Sequence, residues 1–192
     1  MKKGVFCIEG IWENDLRKRS SVRPILDILQ HNVSVDYIYQ NCATIVELEF
    51  YIKKWSLKRY KDYPILYLAF HGKANEIMMG DNNPYSLDNL AELLKNKCKK
   101  SIVYFGSCST LDLRRNYLRK FLDKTQALAI CGYKNEVDWV PSTAFELLVL
   151  SLMQDNEFSG RGIASIKSKI EPLARKFKKE LEFIMVTNQE VS

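Results

Sequence analysis

PILYLAFHG, residues 64–72, is an apolar run built from leucine, isoleucine and aromatic side chains that ends in His71-Gly72. A second run of the same build, SIVYFGSC at residues 101–108, ends in Cys108. Continuous apolar runs of this length, bounded by polar or turn-forming residues, are how strands buried on both faces read. Parallel strands in an open α/β sheet present their carboxyl ends along one edge, where the active-site crevice of that fold class lies. The two runs therefore predict that His71 and Cys108 stand on one rim. A histidine beside a cysteine can draw off the thiol proton and leave a nucleophilic thiolate.

Strand and helix signals alternate through the flanking sequence. KGVFCI at residues 3–8 reads as a first strand, and residues 23–30 as a helix with Pro24 in its first turn. Residues 33–39 alternate apolar and polar, which suits an edge strand. Thr44 and Glu47 form a capping box for a helix whose buried stripe is predicted to be Val46, Phe50 and Ile52 or Trp55. Residues 76–85, EIMMGDNNPY, are dense in turn formers and predict a hairpin or an irregular excursion. Ser86 caps a helix through Leu93 and Leu94. Residues 111–122 form an amphipathic helix with Leu118, Phe121 and Leu122 inward. ALAICGY (127–133) is a fifth strand, Pro141 starts a helix running to about Gln154, a basic helix follows the turn at 159–162, and LEFIMV (181–186) is the last strand. The prediction is an α/β protein: one domain over residues 1–192 with a doubly wound, mostly parallel six-stranded sheet and helices on both faces.

Composition narrows the function classes. A chain of 192 residues with 46% hydrophobic and 27% charged content folds rather than staying disordered. The apolar stretch Val5 to Ile8 is too short for a signal peptide, and the longest one, residues 144–153, is broken by Glu146 and Ser151, far below the ~20 residues that span a bilayer. These features predict a cytoplasmic protein with no membrane partner. Five cysteines without a C-x-x-C pair suggest neither a disulfide framework nor a zinc site, and Cys7 and Cys131 read as core residues. No metal or cofactor is expected. The charge of +6 concentrates at residues 161–179, where lysines and arginines interleave with Ile163, Ile166, Ile170, Leu173 and Phe177 at helical spacing. That pattern predicts the solvated face of a helix, and no nucleic-acid motif accompanies it.

Cysteine attack on a carbonyl needs a thiolate, a base and donors for the oxyanion. Cys108 is the candidate nucleophile and His71 the candidate acid and base. The N–H groups of Gly72 and Cys108 are the candidate oxyanion hole, because glycine lets the backbone approach a substrate closely. His31, the other of two histidines, falls at the carboxyl end of a predicted helix and suits a dipole interaction. The residues alone leave two plainer roles open, a capping histidine and a core thiol. A dinucleotide-binding reading lacks any G-x-G-x-x-G after a strand.

A hydrophobic block ending in His-Gly, then one ending in a small residue and Cys, resembles the caspase-like (clan CD) cysteine peptidases. Cys108-Ser109-Thr110 is most similar to the CHAT-type domains, whose motif usually reads Ser-Ala-Cys-x-Thr, with Gly106-Ser107-Cys108 here in place of its first three residues. The 37 residues from His71 to Cys108 are fewer than the roughly 50 of caspases. The resemblance implies a cysteine endopeptidase acting on a protein or peptide substrate through His71 and Cys108. It also implies that the loops after the first and fifth strands line the substrate pocket, here with Glu9 and Trp12, and with Glu136, Asp138 and Trp139. Glu9 and Asp138 there would favour a basic residue before the cut, while the plainer reading of the two is as solvated loop carboxylates. Residues 109–126 read as helix rather than as a processing loop, so control would fall to a regulatory partner chain or to oligomerisation. The same resemblance admits an inactive interaction or regulatory module.

Overall fold

The computed structural model describes residues 2–190 except Leu16 and Arg19. In chain order the elements are β1 (Val5–Glu9), α1 (Arg23–Val33), β2 (Tyr37–Asn41), α2 (Ile45–Trp55), β3 (Ile65–Ala69), β4 (His71–Lys73), β5 (Glu76–Met78), β6 (Pro84–Ser86), α3 (Leu87–Leu93), β7 (Ile102–Gly106), α4 (Arg115–Thr125), β8 (Ala129–Tyr133), α5 (Trp139–Leu152), α6 (Gly160–Lys176), α7 (Lys178–Leu181) and β9 (Phe183–Thr187). The main sheet runs β2-β1-β3-β7-β8-β9. Its first five strands are parallel and β9 is antiparallel to β8. This is the doubly wound, mostly parallel six-stranded α/β sheet that the apolar runs predict.

The two faces of the sheet follow from the alternation of side chains along a strand. Phe6, Ile8, Leu66, Leu68, Val103, Phe105 and Ile130 point to one face and pack under α2, α3 and α4. Val5, Cys7, Ile65, Tyr67, Ala69, Ile102, Tyr104 and Cys131 point to the other and pack under α1, α5 and α6. β1, β3, β7 and β8 bury every residue, as strands covered on both faces must. No helix among the described residues is long and apolar enough to cross a membrane.

Several local expectations shift. Val33 ends α1 instead of starting a strand, because Ser34 takes the left-handed conformation (φ 57°) and its N–H caps Leu29, so β2 begins only at Tyr37. The edge position expected of β2 holds. The capping box of Thr44 and Glu47 is present, but α2 buries Leu48, Ile52 and Trp55 while Val46 is 77% exposed. The i, i+4, i+7 spacing of the buried three fixes the face, and Val46 and Phe50 lie off it. α4 starts at Arg115 rather than at residue 111, with Leu118, Phe121 and Leu122 inward as expected. The turn-rich segment belongs to a separate antiparallel sheet, β4-β5-β6, whose first residue is His71. His71 therefore sits in a strand of its own, past the end of β3.

Candidate functional site

Strand order in the main sheet reverses between β1 and β3, so the chain leaves these neighbours toward opposite faces and opens a crevice at their carboxyl ends. Glu9 pairs with Ala69 across β1 and β3, and Ala69 with Gly106 across β3 and β7. His71 and Cys108 are each the second residue beyond the Ala69–Gly106 pair. Trp12 follows β1 on the other side of the crevice.

His71 is exposed, and its Nε2 lies 2.7 Å from the Trp12 carbonyl oxygen. A carbonyl only accepts, so Nε2 carries the hydrogen and donates it, which leaves Nδ1 with its lone pair as the basic atom. The Trp12 ring meets the His71 ring edge to face (centroids 5.1 Å, 75°) and meets Trp139 in the same manner (4.9 Å, 85°). Trp12 is itself anchored by its Nε1, which donates to Glu9 at 2.6 Å. Glu9 also accepts from the Ser21 hydroxyl, the Val22 N–H and the Tyr39 hydroxyl. With both oxygens taken and 2% exposure, Glu9 faces inward as an anchor for the loop instead of lining an open substrate pocket.

The turn that carries Cys108 is stitched to β5. The Thr110 hydroxyl is 2.8 Å from that of Ser107 and donates to the Glu76 carbonyl at 3.2 Å, with the Cys108 carbonyl at 3.3 Å sharing its one proton. Ser109 adopts φ 53°, and its N–H donates to the Asn135 carbonyl, which ties the turn to the loop after β8. Gly72 packs against this turn so tightly that a Cβ would overlap the Thr110 hydroxyl and stand 2.5 Å from the Cys108 carbonyl oxygen. Only glycine fits there, and close approach rather than an unusual φ is the reason.

The orientation of the Gly72 N–H follows from its ladder. Met79 N–H donates to Asn83, and Pro84 has no N–H, so Met78 and Pro84 form a non-hydrogen-bonded pair and Ile77 bonds toward β6. The alternation then turns the Gly72 N–H out of the β4–β5 ladder. Among the described residues the Cys108 N–H has no acceptor either. The two candidate oxyanion donors are thus both uncommitted.

Cys108 is half-buried, and its thiol donates to the Val137 carbonyl at 3.9 Å; no hydrogen bond joins it to His71. The other four cysteines are buried, and burial pushes Cys42 and Cys98 up to about 12 and holds Cys7 and Cys131 well above the ordinary thiol range. Asp138 and Glu136 are exposed, Asp138 at the amino end of α5 without capping it, and Trp139 is 38% exposed beside Trp12. A hollow of about 750 Å³ opens beside His71, lined by Ile11, Trp12, Thr44 and Met79 among others. His31 bonds the Asp27 carbonyl in the last turn of α1, away from the site. Among the described residues no three His, Cys, Asp or Glu side chains converge to hold a metal ion.

Sequence reasoning missed Glu146, although it is the one charge interrupting an otherwise apolar run. It lies in α5 beneath the end of β7: Tyr67 donates to it at 2.6 Å, Tyr133 at 3.1 Å, and a Cβ on Gly106 would stand 3.2 Å from its carboxylate. Burial pushes its pKa from 4.5 up to about 7, against the opposing pull of the two tyrosine hydrogen bonds. Folded Glu146 therefore keeps a proton that the unfolded chain gives up from about pH 4.5. Stability is greatest below that value and falls as pH rises through 7. Urea unfolding is expected to show a loss of roughly 2–3 kcal/mol between pH 5 and 8, from about 1.4 kcal/mol per pKa unit. Glu146→Gln should flatten that slope, and an unchanged slope would count against this assignment.

No curated protein matches the sequence. A family model described as a family of unknown function, DUF6642, matches residues 2–185, almost the whole chain.

Proposed function

The chain belongs to DUF6642, a family whose description assigns no activity, and from the chemistry of its site we propose that it is a caspase-like cysteine endopeptidase. The observation that carries this reading is the close fit of the two motifs, with Gly72 against the Cys108 backbone while the neighbouring His71 has its Nε2 committed to Trp12 and Nδ1 left basic. Nδ1 takes the thiol proton as Cys108 Sγ attacks the scissile carbonyl, and the N–H groups of Gly72 and Cys108 receive the oxyanion. The imidazolium returns its proton to the leaving amine. Water then hydrolyses the thioester, with His71 as base, and regenerates the thiol. The substrate residue before the cut would face Trp12 and Trp139. With Glu9 turned inward, Asp138 is the carboxylate that would favour a basic one.

The second reading, a caspase-like interaction or regulatory module without hydrolase activity, is favoured by one contact: the thiol engages Val137 instead of the imidazole. Unliganded catalytic sites are often loose in this way. Iodoacetamide labelling of the folded protein across pH, with each modified cysteine mapped, separates the two. A dyad predicts that Cys108 alkylates at least about tenfold faster than the other thiols at pH 7, and that His71→Ala removes the advantage. A Cys108 rate equal to that of an ordinary exposed thiol and indifferent to His71→Ala would leave the module reading standing.

A further inference from the structure

The sheet edge opposite His71 and Cys108 carries a different chemistry. A hollow of about 220 Å³ lies where the chain enters β3 and β7, and Lys58, Lys61, Lys97, Lys99 and Lys100 line it with no acidic residue among them. The two lysine groups are far apart in sequence, and the pairing of β3 with β7 brings them together. The rest of the wall is rigid: Trp55 is buried at the end of α2 and its Nε1 donates to the Tyr63 carbonyl at 2.8 Å. Lys100 is held at φ 64° in a turn closed by Ser101 N–H on the Cys98 carbonyl, a left-handed position that suits glycine or asparagine better than lysine.

Ion pairing distinguishes this hollow from the basic helix. On α6 Lys167 pairs with Glu171 and Glu190, Lys169 with Asp155, and Arg175 with Glu171. None of the five lysines of the hollow has a carboxylate partner among the described residues; Lys97 reaches only the Leu93 carbonyl. Asp62, in the adjoining turn, does not line it. Like charges gathered around a concavity repel one another and focus a field that attracts an anion.

We propose that this hollow is a binding site for a compact polyphosphate anion. Its volume falls below the roughly 300–1,000 Å³ of pockets for drug-sized ligands, which suits a di- or triphosphate group. Its lysines surround one depression and do not form the long track that a nucleic-acid backbone needs. Ammonium groups serve as point-charge partners for phosphate.

Calorimetric titration of the full chain with inorganic tripolyphosphate at low salt tests the site, and a parallel titration with adenosine triphosphate tells a nucleotide from a bare polyphosphate. One saturable site is expected. Lys61→Glu with Lys99→Glu should weaken it at least about tenfold, while Arg175→Ala with Lys176→Ala on α6 leaves it unchanged. Far-UV circular dichroism checks that the variants, altered only at exposed positions, remain folded. Absence of saturable binding, or equal binding by the charge-reversed variant, overturns the proposal. Tighter binding of a single-stranded oligonucleotide or of anionic vesicles through the same lysines also overturns it, in favour of a polymer or a lipid surface.

Discussion

Cys108→Ala is expected to lower peptide hydrolysis by about 10³-fold or more, and His71→Ala by a comparable factor. Cys108 is the one cysteine among the described residues that is not buried, and the hydrogen bond from Nε2 to the Trp12 carbonyl fixes the His71 ring; the proposed mechanism assigns them the acyl intermediate and the base. Two groups that act in one step are not additive, so the double variant should be little slower than either single one. The measurement is kcat/KM on a mixture of fluorogenic peptides, with folding of each variant checked by thermal melting. A double variant whose loss is the product of the two single losses would mean that the residues act independently. A well-folded wild-type chain that cleaves none of a broad peptide library would favour the module reading.

The second large effect concerns stability. Glu9→Ala leaves the Trp12 indole and the Val22 N–H without an acceptor and takes one partner from the Ser21 and Tyr39 hydroxyls, which keep each other and the Asn41 side-chain oxygen. Leaving a buried donor unpaired costs about 1–3 kcal/mol before relaxation, so two such donors and the weakened hydroxyl contacts set the scale of the loss. A loss of about 3–5 kcal/mol is expected in urea unfolding, with Tm falling on the order of 10 °C. Glu9→Gln should cost less, because its amide oxygen still accepts while its NH₂ faces donors. The loop that presents the Trp12 carbonyl to His71 would loosen in both variants. A Glu9→Ala loss below about 1 kcal/mol would show that the loop is held by its aromatic contacts alone.

The strands were legible because burial on both faces leaves a mark in composition, an unbroken run of apolar residues. The positions of His71, Gly72 and Cys108 beyond strand ends follow from the same mark. The Trp12 carbonyl was not legible, since every residue carries a carbonyl and only the fold selects which one meets an imidazole. Glu9 was readable as a loop carboxylate but not as a buried one, because its donors come from Trp12, Ser21, Val22 and Tyr39, which no local pattern links. The face of α2 turned on the difference between Val46 and Leu48, two apolar residues that a single turn cannot rank. The lysines at 58–61 and 97–100 each look like a short polar loop. They become one feature only when β3 and β7 pair.

The crossover topology also governs when the site comes into being. Trp12, His71 and Cys108 follow three strands that are adjacent in space and distant along the chain, with the Trp12–His71 contact alone spanning 59 residues. No hairpin can preassemble it. Long loops must close before such contacts are rewarded, so folding is expected to be slower than that of a helical bundle of similar size. A nascent chain that has emerged as far as β4 already carries the imidazole and its carbonyl partner, and its thiol lies in sequence still to be made. Until β7 docks, the proposed dyad is incomplete.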